Sequence, residues 1–123
     1  MALKLVWMAL AGSAGTLARF GLSSVIPSGF LPWGTMAVNM LGSFAFGVVW
    51  SAAGGRGHLN EEVRLIVLVG FMGAFTTFST FAFDTVDMLS DGKWLQASGN
   101  LLGQNALGLV FVSLGILLGR AFS

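Results

Sequence analysis

The charged side chains of this sequence stand at segment boundaries, and the stretches between them are long enough to cross a bilayer. Nineteen consecutive residues, Leu65 to Phe83, carry no formal charge, and neither does any residue from Trp33 to Ala53 or from Trp94 to Gly119. A hydrocarbon core of about 30 Å takes about 20 apolar residues of helix, and lipid offers the backbone no partners, so each stretch must be helical. A further stretch follows Lys4, and it spans if Arg19 snorkels to the interface while the helix runs on to about residue 25. The reading is an all-α integral membrane protein. It is a single domain over 1–123 with four transmembrane helices at about 3–25, 33–53, 62–89 and 94–120. Composition agrees, since 9% of residues are charged where soluble domains carry about 25%.

The boundaries have their own chemistry. Pro27, Ser28, Gly29 and Pro32 suit an interfacial turn, and Trp33 and Trp50 bracket the second span as indoles at the two headgroup levels do. Gly54 to Glu62 gathers glycine, charge and the only histidine, His58, and reads as an aqueous loop. Within it Asn60 is placed to cap a helix whose first turn holds Glu61 and Glu62. Asp84, Asp87, Asp91 and Lys93 mark the exit of the third span as an interfacial acidic face, without the spacing of a calcium loop. A cleaved signal peptide is not expected, because the chain stays equally apolar beyond the first span.

Four spans put both termini on one side. With the termini in the cytoplasm, Lys4, Arg56, Arg64 and Arg120 lie inside and Arg19 and Lys93 outside, a bias too weak to fix orientation. Copies inserted both ways can pair antiparallel, which gives the inverted symmetry that many transporters obtain by internal duplication. No repeat occurs within the chain, so the second half of such a structure would be a second subunit.

Several function classes are excluded. A net charge of +1 supplies no field for nucleic acid. Without cysteine and with one histidine there is no disulfide framework, thiolate zinc site or histidine cluster. No nucleophile with a positioned base can be assembled, so an enzyme is not expected.

Polar residues inside the spans carry the remaining information. Thr35, Asn39 and Ser43 recur every four residues on the second span, and Asn100, Gln104 and Gly108 do so on the fourth. A carboxamide at that depth must bond another helix or face a hydrated path, and spacing leaves both open. Gly99/Gly103 and Gly115/Gly119 have the spacing of close helix packing, although glycine can also line a narrow pore. The third span holds Gly70-Phe71-Met72-Gly73-Ala74-Phe75-Thr76-Thr77-Phe78-Ser79-Thr80-Phe81 near its middle. Glycines and hydroxyls weaken a helix, so the spacing predicts a break near 73–80. Freed carbonyls there can hold a cation, and hydroxyls with the ring edges of Phe78 and Phe81 suit a small anion. The alternative is lipid-facing phenylalanine bulk.

Three signatures in order make the chain similar to a known family. They are Gly12-Ser13-Ala14-Gly15-Thr16-Leu17-Ala18-Arg19-Phe20, then Gly34-Thr35-Met36-Ala37-Val38-Asn39-Met40-Leu41-Gly42-Ser43, then Gly70-Phe71-Met72-Gly73 leading into Thr76-Thr77-Phe78-Ser79-Thr80-Phe81. Over nearly its whole length the sequence resembles the Fluc (CrcB) fluoride channels of prokaryotes. The resemblance implies an antiparallel, dual-topology homodimer in the bacterial inner membrane, with two fluoride pores at the subunit interface and a central structural sodium ion. By position, Phe78 and Phe81 match the pore phenylalanines and Asn39 the pore asparagine. Ser79, Thr80, Thr35 and Gln104 match the polar path, and Arg19 matches a vestibule arginine. The backbone carbonyls of Gly73 and Thr76 match the sodium ligands. The sequence departs from the family pattern at Asp84, where glutamate is expected, at Gln104 and Gly108, where some relatives carry serine, and at Phe75, which is bulkier than expected.

Two rival readings are kept. A small proton-coupled multidrug antiporter also has four short spans, but it needs a carboxylate deep in the first span, and this one has none. A non-conducting accessory subunit would explain the glycines, though not the threonine-rich break or the two polar stripes.

Overall fold

The computed structural model describes residues 1–54 and 59–123. Arg56 and His58, assigned above to an aqueous loop, lie outside the described residues. Helix α1 spans Ala2–Val25 and α2 spans Trp33–Gly54. Helix α3 (Glu61–Leu65) runs through a π-helical stretch (Ile66–Met72) into α4 (Gly73–Phe75), followed by α5 (Phe78–Ser90) and α6 (Trp94–Arg120). Four stretches, Ala2–Val25, Trp33–Ala53, Glu61–Ser90 and Trp94–Arg120, are long and apolar enough to cross a membrane. The chain is an all-helical, multi-pass membrane protein.

The helix ends follow from local chemistry. The Asn60 side chain accepts the Glu62 N–H at 2.8 Å, and Glu61 and Glu62 in the first turn complement the positive end of the helix dipole. Helix α5 ends in a Schellman arrangement around Gly92, whose φ of 72° only glycine adopts without penalty. Its N–H reaches the Leu89 carbonyl and that of Lys93 the Met88 carbonyl at 2.8 Å.

Helices α2 and α6 form the most extensive contact in the fold. Glycine makes it possible: a methyl group on Gly115 would overlap the Phe44 carbonyl, and one on Gly47 the Val112 carbonyl, so the two backbones touch. Gly99 and Gly103, with the same spacing as Gly115 and Gly119, meet only the side-chain ends of Leu31 and Met36 at 3.7 Å. Helix α1 leans on the π-helical stretch and α4, with Gly15 its single buried residue. Much of the rest of α1, including Leu3, Leu17, Phe20 and Val25, is exposed apolar surface for lipid or a second chain. The core between α2, α5 and α6 is polar as well as apolar. Val38 and Asn100 are its two largest fully buried side chains, and Thr77, Thr85 and Gln104 are buried with them.

Candidate functional site: a polar ladder beside two phenylalanines

Thr76 and Thr77 have extended backbone (ψ 157° and 113°), so helical bonding ends with the Thr76 N–H on the Met72 carbonyl and a new helix starts at Phe78. Thr77 begins the new helix, its hydroxyl accepting the Thr80 N–H at 3.2 Å. Asn39 on α2 holds this junction from across the fold. Its Oδ1 accepts the Thr77 N–H at 2.8 Å and its Nδ2 donates to the Thr77 carbonyl at 3.2 Å, so the carboxamide pairs with the peptide as a second strand would.

From Asn39 the hydrogen bonds continue through the bundle. Asn39 Nδ2 also donates to Gln104 Oε1 at 2.8 Å, and Gln104 Nε2 donates to Asn100 Oδ1 at 2.9 Å. Asn100 Nδ2 donates to Thr85 Oγ1 at 2.9 Å, and the Thr85 hydroxyl donates to the Phe81 carbonyl at 2.9 Å. The ladder leaves α5 at Thr77, crosses α2 and α6, and returns to α5 at Phe81. It therefore brackets the turn that carries Phe78 and Phe81. Among the described residues no buried side-chain nitrogen or oxygen lacks a partner, so this buried polar network is fully satisfied.

Beside the ladder an open groove of about 480 Å³ runs along the surface of the chain. Asn39, Ser43, Thr76, Phe78, Phe81, Gln104, Asn105 and Gly108 contribute to its walls. Phe78 is 79% exposed at the mouth and Phe81 is buried behind it, their rings 5.7 Å apart and tilted by 56°. The lining mixes donors with aromatic rings and, among the described residues, carries no formal charge.

The two polar stripes thus meet: Asn39 and Ser43 from α2 face Gln104 and Gly108 from α6. Other expected residues stand elsewhere. Thr35 lies outside the groove and faces the Asp84 side chain. Ser79 and Thr80 are exposed and bonded to Thr77 at 3.3 and 3.0 Å rather than lining the groove. Arg19 is partly buried on α1, away from it. Phe75 is accommodated by the absence of a side chain on Gly42 and stacks on Phe71 at 5.8 Å. Sequence reasoning missed Thr85 and assigned no separate role to Thr77. A threonine immediately before a helix start is a cap signal that marks Thr77, whereas Thr85 becomes visible only once Asn100 is known to face it.

The junction also frees backbone oxygens. In a continuous helix the Gly73 carbonyl would accept from the Thr77 N–H and the Thr76 carbonyl from the Thr80 N–H. Here those donors go to Asn39 and to the Thr77 hydroxyl instead. The backbone oxygens of Gly73, an exposed residue, and of Thr76 are thereby left without their intrahelical donors. No cluster of His, Asp or Glu able to hold a metal occurs among the described residues, so a cation here would rest on carbonyls.

Residues 6–116 match the family model described as CrcB-like protein, Camphor Resistance (CrcB). The chain is 54% identical over 115 residues to a protein of Nitrosococcus oceani named fluoride-specific ion channel FluC, covering 91% of this chain and 92% of that one. Proteins of the same name from Solidesulfovibrio magneticus and Desulforapulum autotrophicum are 48% and 47% identical over 120 residues, covering 95% of this chain and 96% of each relative. With matches of this extent, the chain belongs to the CrcB family.

Proposed function

We propose that this chain is a fluoride-selective ion channel, and that it exports cytoplasmic fluoride passively through two pores at the interface of an antiparallel homodimer. One observation carries the reading. An uncharged groove lined by amides and by the rings of Phe78 and Phe81 lies at the helix junction of a membrane-spanning stretch, on the outer face of a single chain. A polar groove facing lipid would be costly, so a second copy is the natural cover. The names of the similar proteins, fluoride-specific ion channels, point the same way.

Fluoride is small and strongly hydrated, so a pore must replace its water with closely spaced donors. Phe78 at the mouth and Phe81 behind it offer positive ring edges, while Asn39, Gln104 and Asn105 offer amide hydrogens. Both Nδ2 hydrogens of Asn39 are engaged, by the Thr77 carbonyl and Gln104 Oε1. An anion that reaches Asn39 therefore displaces Gln104 Oε1, and the Gln104 NH2 reaches the anion only if it leaves Asn100 Oδ1 and the Asn100 amide turns with it to donate to Gln104 Oε1. Ser79, Thr80 and Thr35 act outside this groove, where the path leaves it, and Arg19 draws anions to a vestibule by its charge.

A sodium ion at the centre of the dimer suits the freed carbonyls of Gly73 and Thr76. Two from each chain would make a four-oxygen site, whose chemistry is to tie the two junctions together. Export needs no coupling: hydrogen fluoride enters as a neutral acid and ionises in a less acidic cytoplasm. An inside-negative potential across the bacterial inner membrane then drives the anion out with about 2.3 kcal/mol per 100 mV. The test is fluoride efflux from liposomes holding purified wild type, Phe81→Ile or Asn39→Ala. Efflux lost in both variants with the dimer intact supports the pore, and unchanged efflux in both removes the groove from the path.

A further inference from the structure

A second cavity, of about 490 Å³, opens where the start of α1, the end of α2 and the start of α3 meet. Its volume is within the range of about 300–1,000 Å³ typical of sites for small organic groups. Its lining is divided by chemistry. Lys4, Arg64, Glu61 and Glu62 supply two cations and two carboxylates, whereas Phe46, Leu65, Leu68 and Val69 supply an apolar wall. Among the described residues the one ion pair within 4 Å is Lys93 with Asp91, so these four charged groups do not neutralise one another. Trp50 lines the same cavity with the Arg64 guanidinium 4.8 Å above its ring, which places an indole where interfacial aromatics sit.

We infer that this cavity binds a phospholipid headgroup carrying both a phosphate and a primary ammonium, that is, a phosphatidylethanolamine. Lys4 and Arg64 take the phosphate, and the carboxylates of Glu61 and Glu62 take the ammonium hydrogens. The first acyl chain lies along Leu65, Leu68 and Val69, where Val69 is 54% exposed. Among the described residues that line the cavity, two cations with two carboxylates match a zwitterion better than an anionic lipid, which would leave both carboxylates facing phosphate. Of the residues lining this cavity only Phe46 also lines the groove, and none of the four charged groups does, so this site does not depend on the channel reading.

The test is native mass spectrometry of the full-length protein released from vesicles of equal parts phosphatidylethanolamine, phosphatidylcholine and phosphatidylglycerol. Phosphatidylethanolamine should be retained in preference to phosphatidylcholine by about tenfold, as one charge-assisted hydrogen bond provides. The Glu61→Gln/Glu62→Gln double variant should lose that preference, and Lys4→Ala/Arg64→Gln should lose retention of both zwitterionic lipids. A parallel arm with glycerophosphoethanolamine separates a lipid site from a site for the free headgroup, which should bind at least about tenfold more weakly without its chains. Equal retention of the three lipids, variants that leave the preference intact, or equal binding of the chain-free headgroup would each overturn the proposal. Circular dichroism of the variants distinguishes loss of fold from loss of the site.

Discussion

Replacing Thr85 with valine removes one hydroxyl from the middle of the ladder while keeping the shape of the side chain. In the wild type that hydroxyl accepts from Asn100 Nδ2 and donates to the Phe81 carbonyl, both at 2.9 Å. Asn100 is 0% exposed, so no water can take the place of the lost acceptor. A buried donor left without a partner costs about 1–3 kcal/mol, whereas interhelical hydrogen bonds in membranes average about 0.6 kcal/mol with a maximum near 1.7. The expected loss for Thr85→Val is therefore about 1–2 kcal/mol, and Thr85→Ser, which keeps the hydroxyl, should recover most of it. A double-mutant cycle with Asn100→Ala isolates the contact, read by unfolding in mixed detergent. Coupling of about 1 kcal/mol is expected, and additivity within about 0.3–0.5 kcal/mol would refute the ladder as an energetic unit. Fluoride flux through Thr85→Val should also fall, since the Phe81 turn loses one of its two anchors. Unchanged flux beside a clear coupling energy would limit the ladder to stability.

Other outcomes follow from single contacts. Gln104→Leu removes one of the two acceptors of Asn39 Nδ2 and an amide donor of the groove, and should lower fluoride efflux about tenfold or more with the dimer retained on size exclusion. Gly115→Ala drives a methyl group into the Phe44 carbonyl and should destabilise by about 1–3 kcal/mol in the same unfolding assay, whereas Gly12→Ala, whose nearest neighbour is 3.7 Å away, should be nearly neutral. Gly92→Ala at φ 72° should lower stability by about 1 kcal/mol through backbone strain while leaving efflux unchanged. Exchange of sodium for a large organic cation should lower the unfolding temperature of the purified protein, and saturating return of sodium at 100 times its dissociation constant should restore about 2.7 kcal/mol. Unfolding that is indifferent to sodium would leave the Gly73 and Thr76 carbonyls without an ion.

Much of this architecture is legible in the sequence because lipid leaves few alternatives. Uncharged stretches of span length have to be helices, and Asn39 with Gln104 had to find partners or water. The structure gives them partners. What periodicity does not carry is the pairing itself, since four-residue spacing places Asn100 and Gln104 on one stripe without saying which helix faces it. For that reason the sequence leaves the Asn39 amide open between a helix contact and a hydrated path, whereas its bonds to Thr77 fasten the helix junction and its side chain also lines the groove. Ser79 and Thr80 illustrate the converse. The resemblance puts them on or near a pore path, and in the single chain both are exposed beside the Thr77 cap and outside the groove. Close packing and groove lining are indistinguishable for a glycine until its neighbours are known, as the contrast between Gly115, against the Phe44 carbonyl, and Gly108, in the groove wall, demonstrates.

The central claim is passive fluoride conduction, and it is tested most directly in liposomes containing only the purified protein. With potassium and valinomycin setting the voltage, a fluoride electrode should record rapid efflux that follows the imposed potential and does not require a proton gradient, and chloride-loaded vesicles should release nothing above the protein-free control. Efflux that needs a proton gradient, equal release of chloride, or no release from verified folded protein would contradict it.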